Sequence, residues 1–315
     1  MRLSSIRIAL VLMFGFASAT GCDPTAPSAP PPVRTVDMNL YANLAPDGTY
    51  QYRFSPNLYV DVYRRKQGTA QGTIVWLHGG GLTGGDRTAK GGMGEIWAQL
   101  WRGWDIVSVD YRLLDVNNAS TKYPGQLADV IEAIHWVLGN GGTMVGLAQS
   151  RLVVVGHSAG GLLAGWMGAN ANSVRSGLSV PNISAWMSIS APLAYNQAEP
   201  AFSTLVNPND PNSSSDRLFE LWVNGNIFNL PLSDAVPFTN YGPTDPDGYL
   251  VHGIHDPIIS IKHAEQTALY AELAGFNSRL GHDFVSSAPD DSNHFALGGA
   301  DADRMDAWFD STATL

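Results

Sequence analysis

Apolar residues recur along this chain in two alternating rhythms. Short, nearly uninterrupted apolar runs stand at residues 73–77 (TIVWL), 105–109 (DIVSV), 152–155 (LVVV), 185–189 (AWMSI) and 249–251 (YLV), with a weaker one at 284–286 (FVS). Runs of that length without a polar face predict strands buried on both sides. Asn57–Tyr63 (NLYVDVY) instead alternates apolar and polar, which suits an edge or half-exposed strand. Between the runs the period lengthens. Leu127, Val130, Ile131, Ile134, Val137 and Leu138 share one helical face, with Pro124 suited to the first turn and Gly139 to the stop. Residues 262–274 predict a second helix ending at Gly275, and 159–167 and 301–309 two more. Strands alternating with helices predict an α/β domain whose largely parallel sheet is covered on both faces.

Two stretches break the rhythm. Residues 192–246 are rich in Asn, Pro, Asp and Ser with patchy apolar character, so they predict an insertion over one end of the sheet, with a short helix at 218–223. A lid over a site and a surface loop fit it equally well. The first 22 residues carry Arg2 and Arg7, then an apolar stretch at 8–16 that is short for a membrane span. They read as an export signal. Residues 17–19 (ASA) offer an ordinary cleavage site, and 19–22 (ATGC) resemble a bacterial lipobox. Cys22 is the only cysteine, so no disulfide within the chain explains it, and lipidation does. Residues 23–33 (DPTAPSAPPPV) form a Pro/Ala/Ser spacer of extended geometry, which leaves a folded domain over 34–315. The expectation is an exported lipoprotein, periplasmic or on the outer face of a membrane, with soluble secretion as the alternative.

Length and charge narrow the class. The 315 residues are 44% hydrophobic, enough for a large core, and the net charge of −10 argues against a nucleic-acid partner.

The chemistry concentrates at the ends of two apolar runs. The strand at 152–155 runs into Gly156-His157-Ser158-Ala159-Gly160, and a helical pattern follows at once. With 33 glycines in the chain, G-x-S-x-G alone arises by accident roughly 0.3 times. A strand ending in a flexible turn would explain it as well. Context favours a nucleophile instead: a serine on a tight strand-to-helix turn needs small residues two positions away on each side, and here both are glycine. The turn also places the hydroxyl beside the free N–H groups of a helix start. A second motif, His78-Gly79-Gly80-Gly81, follows the strand at 73–77. Its glycines allow main-chain N–H groups to face a substrate oxygen. A phosphate-binding loop is the weaker alternative, because the lysine of that motif is missing and Lys90 stands out of frame.

These two motifs, with DIVSVDYRLL, YPGQLADVIEAIHWVL, LVHGIHDPIIS and SNHFALGG, resemble the α/β-hydrolase fold across residues 73–299. Within that fold the chain is similar to HGGG-bearing carboxylesterases and lipases of the hormone-sensitive-lipase group and of the feruloyl or acetyl xylan esterase-like group. Asp115-Val116-Asn117 after DYRLL departs from the lipase-like pattern and favours the second group. The resemblance implies Ser158 as nucleophile and Gly80, Gly81 and Ala159 as oxyanion-hole N–H donors. It also implies an acid and then a histidine later in the chain. Asp256 follows the strand at 249–251; Asp245 and Asp247 precede that strand, and Asp283 begins the next. Of the histidines after Asp256, His263 opens a helix and His282 precedes a strand, whereas His294 lies in the loop after the last strand. The expected triad is therefore Ser158, Asp256 and His294, with no cofactor and no metal. The crowding of His252 and His255 near Asp256 is taken as incidental, because no metal-ligand spacing is present. His157 lines the pocket or fills the turn, Asp129 caps or pairs with Arg112, Trp166 packs in the core, and Trp222 is a candidate pocket wall.

The expected activity is hydrolysis of short-chain or small aryl carboxylic esters, small molecules all. An arylformamidase-like amidase would use the same triad, and a non-catalytic binding module on the scaffold is a third possibility, disfavoured because every catalytic element is present.

Overall fold

The continuous apolar runs form the centre of an eight-stranded sheet. The computed structural model describes residues 41, 43–90, 94–169, 178–194, 241–276, 279–285, 294 and 299–312, all within the unit Arg34–Leu315. The strands are β1 (Gly48–Phe54), β2 (Asn57–Tyr63), β3 (Gly72–Leu77), β4 (Trp104–Val109), β5 (Leu152–His157), β6 (Ala185–Ile189), β7 (Asp247–Gly253) and β8 (Leu280–Val285). Their order is β1-β2-β4-β3-β5-β6-β7-β8. The β1–β2 and β2–β4 pairs are antiparallel and every other pair is parallel. The helices are α1 (Gly94–Ala98), α2 (Gly125–Leu138), α3 (Asn140–Val145), α4 (Ala159–Met167), α5 (Lys262–Leu273) and α6 (Gly299–Thr312).

Alternation along each central strand explains why the runs are apolar throughout. Ile74, Trp76, Val153 and Val155 point to one face, where they meet Ile96 and Trp97 of α1 and Phe309 of α6. Val75, Leu77, Val107 and Val154 point to the other, against Leu127 and Ile134 of α2 and Leu162 of α4. Both faces are thus dry, and each fully buried aliphatic side chain contributes roughly 1.5–3 kcal/mol.

Element boundaries moved where the sequence signal was thin. β8 starts at Leu280, ahead of the expected 284, so His282 and Asp283 lie within the strand. Pro124 caps α2 rather than sitting in its first turn. Gly139 ends α2, and the chain re-enters a helix immediately as α3. β1 and α1 have no counterpart in the pattern. β1 is half exposed, so Thr49, Gln51 and Arg53 mask its apolar side, and α1 has five residues, too few to show a period. Gly275, with φ +75°, takes the left-handed position after α5, and Phe276 N–H returns to Ala271 O at 2.7 Å.

Both described flanks of the insertion are seated in the core. Leu193 and Ala194 are buried. Tyr241 stacks between Trp186 (5.0 Å) and Phe276 (5.5 Å) and donates to Gly165 O at 2.9 Å. Residues 195–240, with the short helix expected at 218–223 and Trp222, lie outside the described residues, as do the export signal, Cys22 and the spacer.

Candidate active site

β5 delivers Ser158 to the carboxyl edge of the sheet, and the turn there is strained. Ser158 has φ 53° and ψ −119°, a conformation that costs a non-glycine residue about 1–3 kcal/mol. The surroundings enforce it. Ser158 N–H donates to Ile189 O at 2.8 Å, and its own carbonyl accepts from Leu162 N–H at 3.0 Å. A Cβ on Gly156 would stand 2.1 Å from Gly160 O, and one on Gly160 would stand 2.2 Å from Leu77 O. Both glycines are therefore required by close approach, and α4 starts directly against the end of β3.

The glycine loop after β3 lies beside that turn. The position of a Cβ on Gly79 is 3.2 Å from Ser158 Cβ. Gly80, with φ +118°, has its carbonyl tied back by Thr83 N–H (3.1 Å) and Gly84 N–H (2.9 Å). Among the described residues no hydrogen bond uses the N–H of Gly80 or Gly81. Ala159 opens α4, so its N–H is one of the first four that a helix leaves without an internal acceptor. The N–H groups of Gly80, Gly81 and Ala159 are thus the candidates for an oxyanion hole. The loop itself is braced from β4: the His78 ring stacks on Tyr111 at 4.2 Å, and Tyr111 OH donates to His78 O at 2.6 Å. Arg87 further along ties to Asp110 and Asp61 at 2.8 and 3.0 Å.

Asp256 and His294 meet, 38 residues apart in sequence. His294 Nδ1 is 2.7 Å from Asp256 Oδ2, and both residues are buried. The other carboxylate oxygen accepts from Ile258 N–H (2.8 Å) and Ile259 N–H (3.0 Å). Burial pushes the Asp256 carboxyl up, but the His294 bond and the two main-chain donors outweigh it and hold its pKa below the usual value. A carboxylate oxygen only accepts, so this contact is made by the imidazole tautomer that carries its proton on Nδ1. No hydrogen bond joins Ser158 Oγ to His294 Nε2 among the described residues; such bonds commonly tighten only with substrate bound.

The rival residues are occupied elsewhere. Asp245 accepts from Gly242 N–H, Asp247 pairs with Arg279, and Asp283 pairs with Arg304. His263 is buried in α5 with Nδ1 against Ala194 N–H, and His282 is exposed on β8. Among the described residues no group of three or more His, Cys, Asp or Glu side chains could hold a metal ion.

Two histidines carry more than the sequence indicated. His252 is not incidental: its Nε2 lies 2.9 Å from Ile259 O and 3.5 Å from Asp256 Oδ2. Burial pushes its pKa below the ordinary histidine value, against the opposing main-chain bond and the Asp256 charge. His157 places Nε2 2.7 Å from the main-chain carbonyl of His294. Neither contact has a sequence signal beyond proximity to a motif. Asp129 pairs with Arg112, as the sequence allowed, and Trp166 is fully buried.

Residues 60–273 match the BD-FAE family model, more than half of the chain. The chain belongs to the BD-FAE family. Among curated proteins, this BD-FAE member is 36% identical over 100 residues to Lipase 2 of Moraxella sp., covering 31% of this chain and 22% of that one. It is 32% identical over 136 residues to Esterase LipI of Mycobacterium tuberculosis, covering 42% and 38%. The chain therefore spans well under half the length of the curated relatives it matches. Solved structures agree over most of the domain. A truncated carbohydrate esterase from gut microbiota superposes with TM-score 0.62 at 18% identity, covering 86% of this chain and 98% of that one. An esterase of Pyrobaculum calidifontis gives 0.62 at 20% identity, with 88% and 90% covered. LipW of Mycobacterium marinum gives 0.60 at 21%, with 88% and 82% covered. With the strand order above, these establish the α/β-hydrolase fold. The BD-FAE match takes in Ser158 and Asp256 and ends before His294.

Proposed function

We propose that this BD-FAE protein is a serine carboxylic-ester hydrolase working through an acyl-enzyme. The observation that carries the reading is the buried His294–Asp256 hydrogen bond of 2.7 Å at the same sheet edge as a serine held at φ 53°. The names of the partly aligned relatives, a lipase and an esterase, support an ester substrate.

In the proposed reaction His294 Nε2 takes the Ser158 proton as Oγ attacks the ester carbonyl. The carbonyl oxygen becomes an oxyanion held by the N–H groups of Gly80, Gly81 and Ala159. As it collapses, His294 returns the proton to the departing alkoxide, and the alcohol leaves. Water then attacks the acyl-serine, with His294 again taking the proton and returning it to Ser158 Oγ as the acyl–oxygen bond breaks, and the acid and free Ser158 result. Asp256 keeps the imidazole in one tautomer and stabilises its cation.

The proposed substrates are esters with acyl chains of about two to six carbons, or small aryl acids. The sequence of residues 192–246 carries no long amphipathic apolar pattern of the kind a lipid-gripping lid needs, and a shallow pocket stops gaining the ~0.8 kcal/mol that each further buried methylene adds. The proposed location follows from the first 33 residues: export and attachment to a membrane through lipidated Cys22.

The test pairs p-nitrophenyl esters from acetate to palmitate, plus methyl ferulate, with N-formyl anilides, for wild type and Ser158→Ala. Ester turnover that peaks at short chains and vanishes in Ser158→Ala is expected. Preferential cleavage of the anilides would make the chain an amidase, and full turnover by Ser158→Ala would remove the nucleophile assignment.

A further inference from the structure

The residue before the nucleophile is a histidine, and the reaction above gives it no task. His157 ends β5 and is 3% exposed. Its ring stands 4.8 Å from the His294 ring, tilted by 57°, and its Nε2 lies 2.7 Å from the His294 main-chain oxygen. A carbonyl only accepts, so Nε2 carries the proton and Nδ1 keeps its lone pair. Nδ1 faces the glycine loop: a Cβ on Gly79 would come within 2.8 Å of it. The ring is thus packed between the oxyanion loop and the base.

We propose that His157 is a positioning residue for His294. Its Nε2–H holds the main-chain carbonyl of the base, and its ring fills the gap to Gly79, so the His294 backbone is registered against the nucleophile turn. The proposal rests on the assignment of Ser158 and His294 above. The chemistry explains the residue type. The contact is made by the distal ring nitrogen, so a Ser or Thr hydroxyl, two bonds from the backbone, does not reach it from the same position. It must also be uncharged, since a cation here would oppose the imidazolium that forms on His294. Burial, reinforced by the neighbouring His294, pulls the His157 pKa down to about 3, so the donor is neutral wherever the enzyme works. A base displaced by about 1 Å costs on the order of 100-fold in rate while leaving ground-state binding intact.

The test compares His157→Leu, which keeps the bulk and removes the donor, with His157→Gln, whose amide nitrogen reaches the same place. For a short p-nitrophenyl ester, Leu is expected to lower kcat roughly 10- to 100-fold with KM within about twofold, and Gln to recover most of the loss. Fluorophosphonate labelling of Ser158 should slow in parallel. Wild-type kcat in the Leu variant, or equal losses in Leu and Gln, would overturn the proposal. Two controls separate its failure from that of the functional reading. Ser158→Ala reports on the reading alone. The ring-nitrogen spectrum of ¹⁵N-histidine-labelled Ser158→Ala protein reports on His157 without any catalysis: the Nε2–H form is expected at neutral pH, and the Nδ1–H form would overturn the proposal even if the Leu variant failed to fold.

Discussion

His252 Nε2 stands 3.5 Å from Asp256 Oδ2, on the oxygen that also receives His294 Nδ1 at 2.7 Å. The carboxylate is therefore flanked by two buried imidazoles, while Ile258 and Ile259 N–H saturate its other oxygen. A charge so fully enclosed in donors has one orientation.

Asp256→Asn removes that charge and puts an amide donor or acceptor against His294, which favours the wrong tautomer. A fall in kcat of about 10⁴-fold with little change in KM is expected. The measurement is steady-state hydrolysis of p-nitrophenyl acetate, and a variant within tenfold of wild type would show that the acid lies elsewhere.

Stability should depend on pH through His157. Its folded pKa of about 3 lies below the ordinary 6.5, so between those values the unfolded chain binds more protons. Stability contributed by the neutral ring is complete above about pH 6.5 and is lost as pH falls toward 3. The ring is faced by His294, Asp256 and His252, of which Asp256 opposes the shift. Thermal melts from pH 7 to 4 should therefore fall more steeply for wild type than for His157→Gln. Parallel curves would contradict this.

Asp129 on α2 is fully buried and binds Arg112 through both oxygens at 2.6 Å, with Arg53 at 3.0 Å. Arg112 follows Tyr111, which holds His78, so this pair anchors the segment behind the glycine loop. Asp129→Ala leaves the Arg112 guanidinium without its counter-ion, while Arg53 keeps Glu132 at 2.7 Å, a loss of about 3 kcal/mol. Tm should drop by about 10 °C in calorimetry. A drop of under 2 °C would mean that solvent replaces the carboxylate at little cost.

Lipidation of Cys22 predicts a change of location. Cys22→Ser should shift the protein from the membrane fraction to the soluble one, and mass spectrometry of the wild type should find acyl chains on Cys22. A mature N-terminus at Thr20 would establish plain secretion in place of the anchor.

How much was legible in the sequence depended on how local each feature is. The central strands, α2, α4 and the nucleophile turn follow from short windows, because period, strand-to-helix change and glycine spacing all act within a few residues. The Gly156 and Gly160 requirement was visible for the same reason, and the close approaches of 2.1 and 2.2 Å supply its cause. β1 and α1 were hidden, the first because polar residues share a half-exposed strand, the second because five residues hold little more than one turn. The order of acid and histidine came from resemblance to a fold, and their contact came only from folding: a 2.7 Å bond across 38 residues depends on β7 and β8 lying side by side and parallel in the sheet. The task of His157 had no local trace. A ring nitrogen meeting a main-chain carbonyl 137 residues away leaves no pattern in sequence, since any residue supplies that carbonyl and only packing selects which one.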